Sequence, residues 1–329
     1  MQANTALETY LEPLKHVFAE DGVSEVSINR PGEIWIEKRG IIRREVLSVL
    51  DLDHLRGTAL LVASSTEQKI SEEAPLLSAT LPNGFRIQIV IPPACESGTI
   101  GMSIRKPSTM KLDLEAYEQM GAFKDVVVGN ATDDNDAVLA QLLRERKIKD
   151  FLCNAIVHHK NIIVSGGTST GKTTFTNAML KSISVDERLI TCEDAREIEI
   201  SGHPNRLHLL ASKGGQGRAK VTIQDLIEAC LRLRPDRIIV GELRGGEAFS
   251  FLRAINTGHP GSISTLHADT PQMAVEQLKL MVMQAGLGIP PDQIKDYVLH
   301  VVDIIIQLKR GAKGVRFVSE IYFKDAALT

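Results

Sequence analysis

The sequence predicts an α/β protein, with a parallel sheet covered by helices on both faces, preceded by a smaller α+β domain. Three observations carry this reading. From Asn161 onward, short apolar runs alternate with amphipathic stretches, which is the pattern of consecutive βα units. Before about residue 108, short alternating strands and turn signals dominate instead. At 329 residues the chain is longer than one ordinary core holds, since single cores stop growing at about 250–300 residues. The expected division is an N-terminal domain over 1–108, a linker over 109–135 and a second domain over 136–329.

The elements follow in chain order. Leu7, Tyr10, Leu11, Leu14, Val17 and Phe18 recur at helical spacing and predict one amphipathic helix despite Pro13. Val26 and Ile28, then Ile34 and Ile36, alternate with polar neighbours and read as strands, the second ending at the Arg39-Gly40 turn. A helix is expected over 52–64. A hairpin turn at Pro82-Asn83-Gly84 then joins a strand ending near Leu81 to one over 85–91, and 99–105 reads as a further strand. Periodicity fades over the linker, and one helix is expected from there to about Val157. Strands are expected over 161–165, 188–192, 206–210, 237–240 and 262–266, with a closing hairpin through residues 311–314.

Composition narrows the function classes. With 43% hydrophobic and 24% charged residues the chain is globular, and a net charge of −3 provides no global basic field, so direct nucleic-acid binding is not indicated. Cys95, Cys153, Cys192 and Cys230 are widely spaced and form no Cys-x-x-Cys, so we expect reduced core cysteines in a cytosolic protein. The first residues show no basic and apolar succession of a signal peptide. The aliphatic stretch 298–308 is interrupted by His300 and Asp303 and is too short to span a bilayer, so any membrane association is expected to be peripheral.

The chemistry concentrates after the first apolar strand of the second domain. Gly166-Gly167-Thr168-Ser169-Thr170-Gly171-Lys172-Thr173-Thr174 satisfies the phosphate-loop pattern in full, between a buried strand and a helix. Such a turn aims successive backbone N–H groups at an anion, and the helix that follows adds its positive end. A nucleoside triphosphate with Mg²⁺ is therefore the expected ligand, with Lys172 reaching the β- and γ-phosphates and the Thr173 hydroxyl on the metal. Glu242, after the apolar run 237–240, is expected to polarise the attacking water; Gly241 stands where many such enzymes carry a further acid. Glu193 ends the run 190–192 and is a candidate for aligning water or contacting Mg²⁺ through water, with helix capping as the structural alternative. His267 ends another strand, where it either senses the γ-phosphate or serves as a capping group. Arg86 and Arg105, near strand ends of the first domain, are either solvated or supply charge to the phosphates from a neighbouring domain or subunit.

Two distractors fall away. Ser212-Lys213-Gly214-Gly215-Gln216 resembles the signature loop of ABC transporter ATPases, but Lys213 interrupts the serine–glycine pair and Gly241 replaces the acid expected before the catalytic glutamate. The segment is read as a mobile glycine-rich loop. The chain also lacks the Asn-Lys-x-Asp selector of guanine-specific switches.

Taken together, residues 166–174, 190–194, 234–248 and 258–269 resemble the Walker A, Asp, Walker B and His boxes of secretion ATPases, and the chain is most similar to the traffic ATPases of type IV secretion systems. Residues 23–40, 81–94 and 98–108 look like that family's N-terminal domain, so the resemblance covers nearly the whole chain. It implies a homo-hexameric ring of N-terminal and RecA-like domains in two tiers with ATP between them. It further implies partners among type IV secretion components at the cytoplasmic face of the inner membrane. Under it Glu193 and Glu242 are water-activating or metal-organising acids, His267 a γ-phosphate contact, and Arg86 and Arg105 interdomain or intersubunit phosphate contacts. The linker is long enough to let one subunit's N-terminal domain sit over a neighbour's ATPase domain, an exchange that packing of both domains of one chain on each other would rule out. Type II secretion relatives usually carry a four-cysteine zinc module and retraction motors an Ala-Ile-Arg-rich signature, and neither is present. A nucleic-acid translocase or a pilus-type motor shares the same core and stands as the alternative, beside a non-hydrolysing nucleotide-gated scaffold.

Overall fold

The computed structural model describes residues 2–107, 113–124, 126, 134–212 and 218–326. The N-terminal part begins with α1 (Gln2–Leu11), a 3₁₀ turn (Glu12–Leu14) and α2 (Lys15–Ala19). The single helix expected here is broken where Pro13 removes an N–H and crowds the preceding turn, yet Leu7, Leu14 and Val17 still share one buried face. Six strands follow: β1 (Val23–Ile28), β2 (Glu33–Lys38), β3 (Ile41–Val46), β4 (Leu76–Thr80), β5 (Arg86–Val90) and β6 (Gly101–Arg105). They form an antiparallel sheet in the order β3-β2-β1-β6-β5-β4. The helix α3 (Leu52–Ser65) starts where the Asp51 carboxylate accepts the His54 N–H at 2.7 Å. The predicted β4–β5 turn is present, with Gly84 at φ +83° and the Leu81 and Phe85 backbones bonded across it. The strand β3 was not foreseen, because Ile41 and Val46 are 73% and 65% exposed on this sheet edge and leave no burial pattern to read.

The C-terminal part contains β7 (Ile162–Gly166), β8 (Leu189–Glu193), β9 (Arg206–Leu210), β10 (Arg237–Val240), β11 (Ile263–Leu266), β12 (Ile304–Arg310) and β13 (Arg316–Phe323). Their order is β13-β12-β7-β11-β10-β8-β9, parallel throughout except for the antiparallel edge strand β13. Ile162, Ile163 and Val164, with Leu189, Ile190, Ile238 and Ile239, are buried on both faces, which explains why these strands read as unbroken apolar runs. The helices of this region are α4 (Leu114–Gln119), α5 (Asp134–Arg144), α6 (Ile148–Val157), α7 (Lys172–Leu180), α8 (Ile223–Leu233), α9 (Glu247–Asn256), α10 (Pro271–Gln284) and α11 (Pro291–Val301). One helix was expected where α5 and α6 stand; Arg146 adopts φ +57° and the Lys147 N–H closes on the Leu142 carbonyl, ending α5 without a glycine. The aliphatic stretch before residue 308 is split between α11 and β12, and among the described residues no helix is long and apolar enough to cross a membrane.

Both parts of one chain pack on each other. Val90, Ala94 and Cys95 join the core of β8, β9 and α8, while Cys95 bridges to Leu209. Arg234 grips Glu37 through two bonds of 2.6 and 2.9 Å, and Arg188 donates to Asn29 at 2.6 Å. An exchange in which the linker carries the first domain off its own second domain therefore does not hold. The glycine-rich loop over 213–217 lies outside the described residues, as do residues 109–112, 125 and 127–133 of the linker. All four cysteines are free, three of them buried.

Candidate active site

The strand β7 ends at Gly166 on the edge of the sheet where open parallel sheets bind ligands, and the chain turns back into α7 through Gly167-Thr168-Ser169-Thr170-Gly171. The turn needs glycine at two places. A side chain on Gly166 would meet the Thr170 hydroxyl at 2.5 Å and the Leu308 carbonyl at 2.9 Å, while Gly171 caps α7 at φ +88°. Thr170 closes the loop by donating to the Gly167 carbonyl at 2.9 Å. The first helical bond runs from Phe175 to Gly171, so the amides of Lys172, Thr173 and Thr174 have no acceptor within the helix. They face a cavity of about 820 Å³ whose wall runs from Thr168 to Thr174.

Three strand ends bring charged groups to that cavity. The Lys172 ammonium lies 3.0 Å from the Gly166 carbonyl, 3.3 Å from His267 Nε2 and 3.8 Å from Glu242 Oε1. Burial holds its pKa below the ordinary lysine value, with Glu242 opposing the shift. Glu242, just beyond β10, accepts from His267 at 2.7 Å and from Arg244 Nε at 2.6 Å. Arg244 also pairs with Asp194. Gly241 is placed with its absent side chain toward Glu193, whose Cγ lies 3.4 Å away, so an acid there would crowd a second carboxylate against a buried one.

Glu193 departs from its expected role. It is 2% exposed, and both carboxylate oxygens are engaged: Oε1 accepts the Glu197 and Ile198 amides at 2.8 and 2.6 Å, and Oε2 accepts the Thr191 hydroxyl at 2.8 Å. Burial raises its pKa, but these bonds, with His208 close by, outweigh burial and hold the carboxyl below the usual range. This geometry makes Glu193 a clamp for its own loop. The acid that meets the Thr173 hydroxyl is Glu197, at 3.3 Å. A hydroxyl and a carboxylate at this separation are hard oxygen donors of the kind Mg²⁺ takes alongside substrate phosphates.

Arg86 and Arg105 are cross-strand partners on β5 and β6, and they line a different cavity of about 680 Å³ between the first sheet and the end of α8, with Glu25, Arg232, Arg234 and His259. No residue lining it also lines the phosphate-loop cavity. The structure thus gathers Lys172, Thr173, Glu193, Glu242 and His267 at one place and leaves Arg86 and Arg105 elsewhere within the chain. Sequence reasoning passed over Arg244, Glu197 and Arg316. Arg316 opens β13 and packs against Gly171, where an added side chain would come within 2.9 Å of the arginine Cδ.

The comparisons with known proteins converge. The pattern of the family described as Type II/IV secretion system protein matches residues 8–314. The type IV secretion system protein VirB11 of Bartonella quintana is 40% identical over 96% of this chain and 92% of its own length. The PtlH homolog of Bordetella bronchiseptica is 38% identical over 97% of this chain and 96% of its own. The crystal structure of the VirB11 ATPase from the Brucella suis type IV secretion system, in complex with sulphate, superposes with a TM-score of 0.92 at 37% identity, covering 98% of each chain.

Proposed function

The chain belongs to the Type II/IV secretion system protein family and is a type IV secretion ATPase with a RecA-like core and a smaller N-terminal domain, and from that premise we propose how its residues work. The observation that carries the proposal is the closed cluster of Lys172, His267, Glu242 and Arg244 at the mouth of the glycine cradle. The backbone amides from Gly171 to Thr174 hold the triphosphate, and Lys172 leaves its carbonyl and carboxylate neighbours for the β- and γ-phosphates. Glu242, released from Lys172, orients the attacking water. His267 and Arg244 then stand where charge accumulates on the γ-phosphoryl group. Thr173 and Glu197 would hold Mg²⁺, which when bound would supply positive charge to offset that of the phosphates.

The assembly is part of the same proposal. Residues 1–108 and 136–329 act as two bodies joined by 109–135, a division supported by the separate core that the first sheet keeps between Leu7 and Ile104. Six copies form a ring at the cytoplasmic face of the inner membrane, in contact with other secretion components. Arg86 and Arg105, remote from Lys172 in their own chain, serve the nucleotide of the adjacent copy. Lys172→Ala is expected to abolish ATP hydrolysis, and Glu242→Gln to keep ATP binding while lowering turnover about 10⁴-fold, the upper end for a positioned acid–base group. Unchanged phosphate release by Glu242→Gln removes that residue from the chemistry.

A further inference from the structure

Behind the phosphate cavity runs a chain of hydrogen bonds whose direction is fixed by its first donor. The Arg196 guanidinium donates from every nitrogen and has no acceptor. Its Nη2 lies 2.8 Å from His208 Nε2, so Nε2 accepts and the ring proton sits on Nδ1. Nδ1 then donates to the Thr191 hydroxyl at 2.9 Å, which in turn donates to Glu193 Oε2 at 2.8 Å. The opposite oxygen of Glu193 holds the Glu197 and Ile198 amides. The sheet itself supplies the central step, because Thr191 and His208 are register partners on β8 and β9. Thr191, Glu193 and His208 are at most 2% exposed, so each polar group in the chain depends on its neighbour for satisfaction.

The other end of the chain leaves the ATPase core. Arg196 Nε donates to Glu96 at 2.9 Å, and Glu96 belongs to the N-terminal part, next to the Cys95–Leu209 bridge on the edge of β9. Arg196 also donates to the Ile198 carbonyl, so one side chain ties Glu96, His208 and the site loop together. We infer that Arg196, His208 and Thr191 are positioning residues that set the 194–198 loop, and with it the Glu197 carboxylate beside Thr173, according to how the N-terminal domain sits on the core. The inference rests on ATP hydrolysis at the phosphate loop. Motion of the N-terminal domain reaches the reaction through Glu96, and a change at the nucleotide returns by the same bonds.

The test combines steady-state kinetics with amide hydrogen exchange on the full chain without nucleotide, after a thermal melt confirms folding. Thr191→Val removes one hydroxyl at equal volume. It is expected to lower kcat by about 10- to 100-fold, the range for partners that orient groups at a site, with KM for ATP unchanged. Faster exchange at the Glu197 and Ile198 amides should accompany the loss, and Thr191→Ser, which keeps the donor, should restore both. Glu96→Ala changes only a partly exposed side chain, and faster exchange in 194–198 is expected from it as well. Wild-type exchange and kcat in Thr191→Val would overturn the relay, and wild-type exchange in Glu96→Ala would overturn its link to the N-terminal domain. Should Thr191→Val not fold, Glu96→Ala decides alone. Wild-type protein that fails to release phosphate would instead count against the ATPase mechanism, leaving the exchange result to judge the relay.

Discussion

In the cavity at the end of β7, Lys172, Arg244 and Arg316 face Glu193, Asp194, Glu197 and Glu242 across a glycine loop. In the cavity between the first sheet and the end of α8, Arg86, Arg105, Arg232 and Arg234 face Glu25, whose carboxyl burial pushes upward, and no phosphate loop is present. The basic residues are similar in number; the backbone and the acids differ. A cradle of amides gives an anion directional bonds without a change in side-chain charge, and the opposing carboxylates hold the cations in place until phosphate displaces them. The second cavity supplies charge without that geometry, and under the proposed assembly it completes the site of the adjacent copy.

That difference can be broken or sharpened by substitution. Of the two substitutions that probe it here, the larger effect is expected from the second cavity in assembled protein. Arg105→Ala should lower kcat about 10³-fold, the lower end for an arginine supplied in trans, and wild-type specific activity should climb with protein concentration as rings form. A flat concentration profile down to monomer, with Arg105→Ala fully active, would confine the chemistry to the first cavity. A smaller effect should come from the cradle. Gly171→Ala forces a left-handed residue at a cost of about 1–2 kcal/mol, and its new methyl group presses on the flexible Arg316 side chain. Nucleotide affinity should fall about tenfold by that measure, read by fluorescence titration of a labelled ATP. Equal affinity would mean that the loop's backbone conformation contributes little to binding.

Much of this was legible in the sequence for physical reasons that also mark where legibility ends. The five parallel strands expected from residue 161 onward match β7 to β11 within one residue at each end, because strands buried on both faces are predominantly apolar. The edge strand β3, exposed or half-buried at every position, carries no such signature. The break at Arg146 is hidden because a left-handed residue other than glycine closes the helix. At the site, the phosphate loop announces itself because local backbone geometry dictates glycine. The inward turn of Glu193 does not, since an acid at a strand end reads alike whether it faces ligand or clamps its own loop. Arg316 was recoverable by register: β12 pairs Leu308 with Gly166, and β13 pairs Arg316 with Arg310, which brings Arg316 alongside the loop.

The proposed function depends most on the amide cradle and its lysine gripping a triphosphate. Calorimetric titration of ATP with Mg²⁺ into the folded full-length chain tests this directly. One saturable site per chain, lost in Lys172→Ala while the fold is kept, is the predicted result; no heat from the wild-type chain, or equal binding by Lys172→Ala, would contradict it.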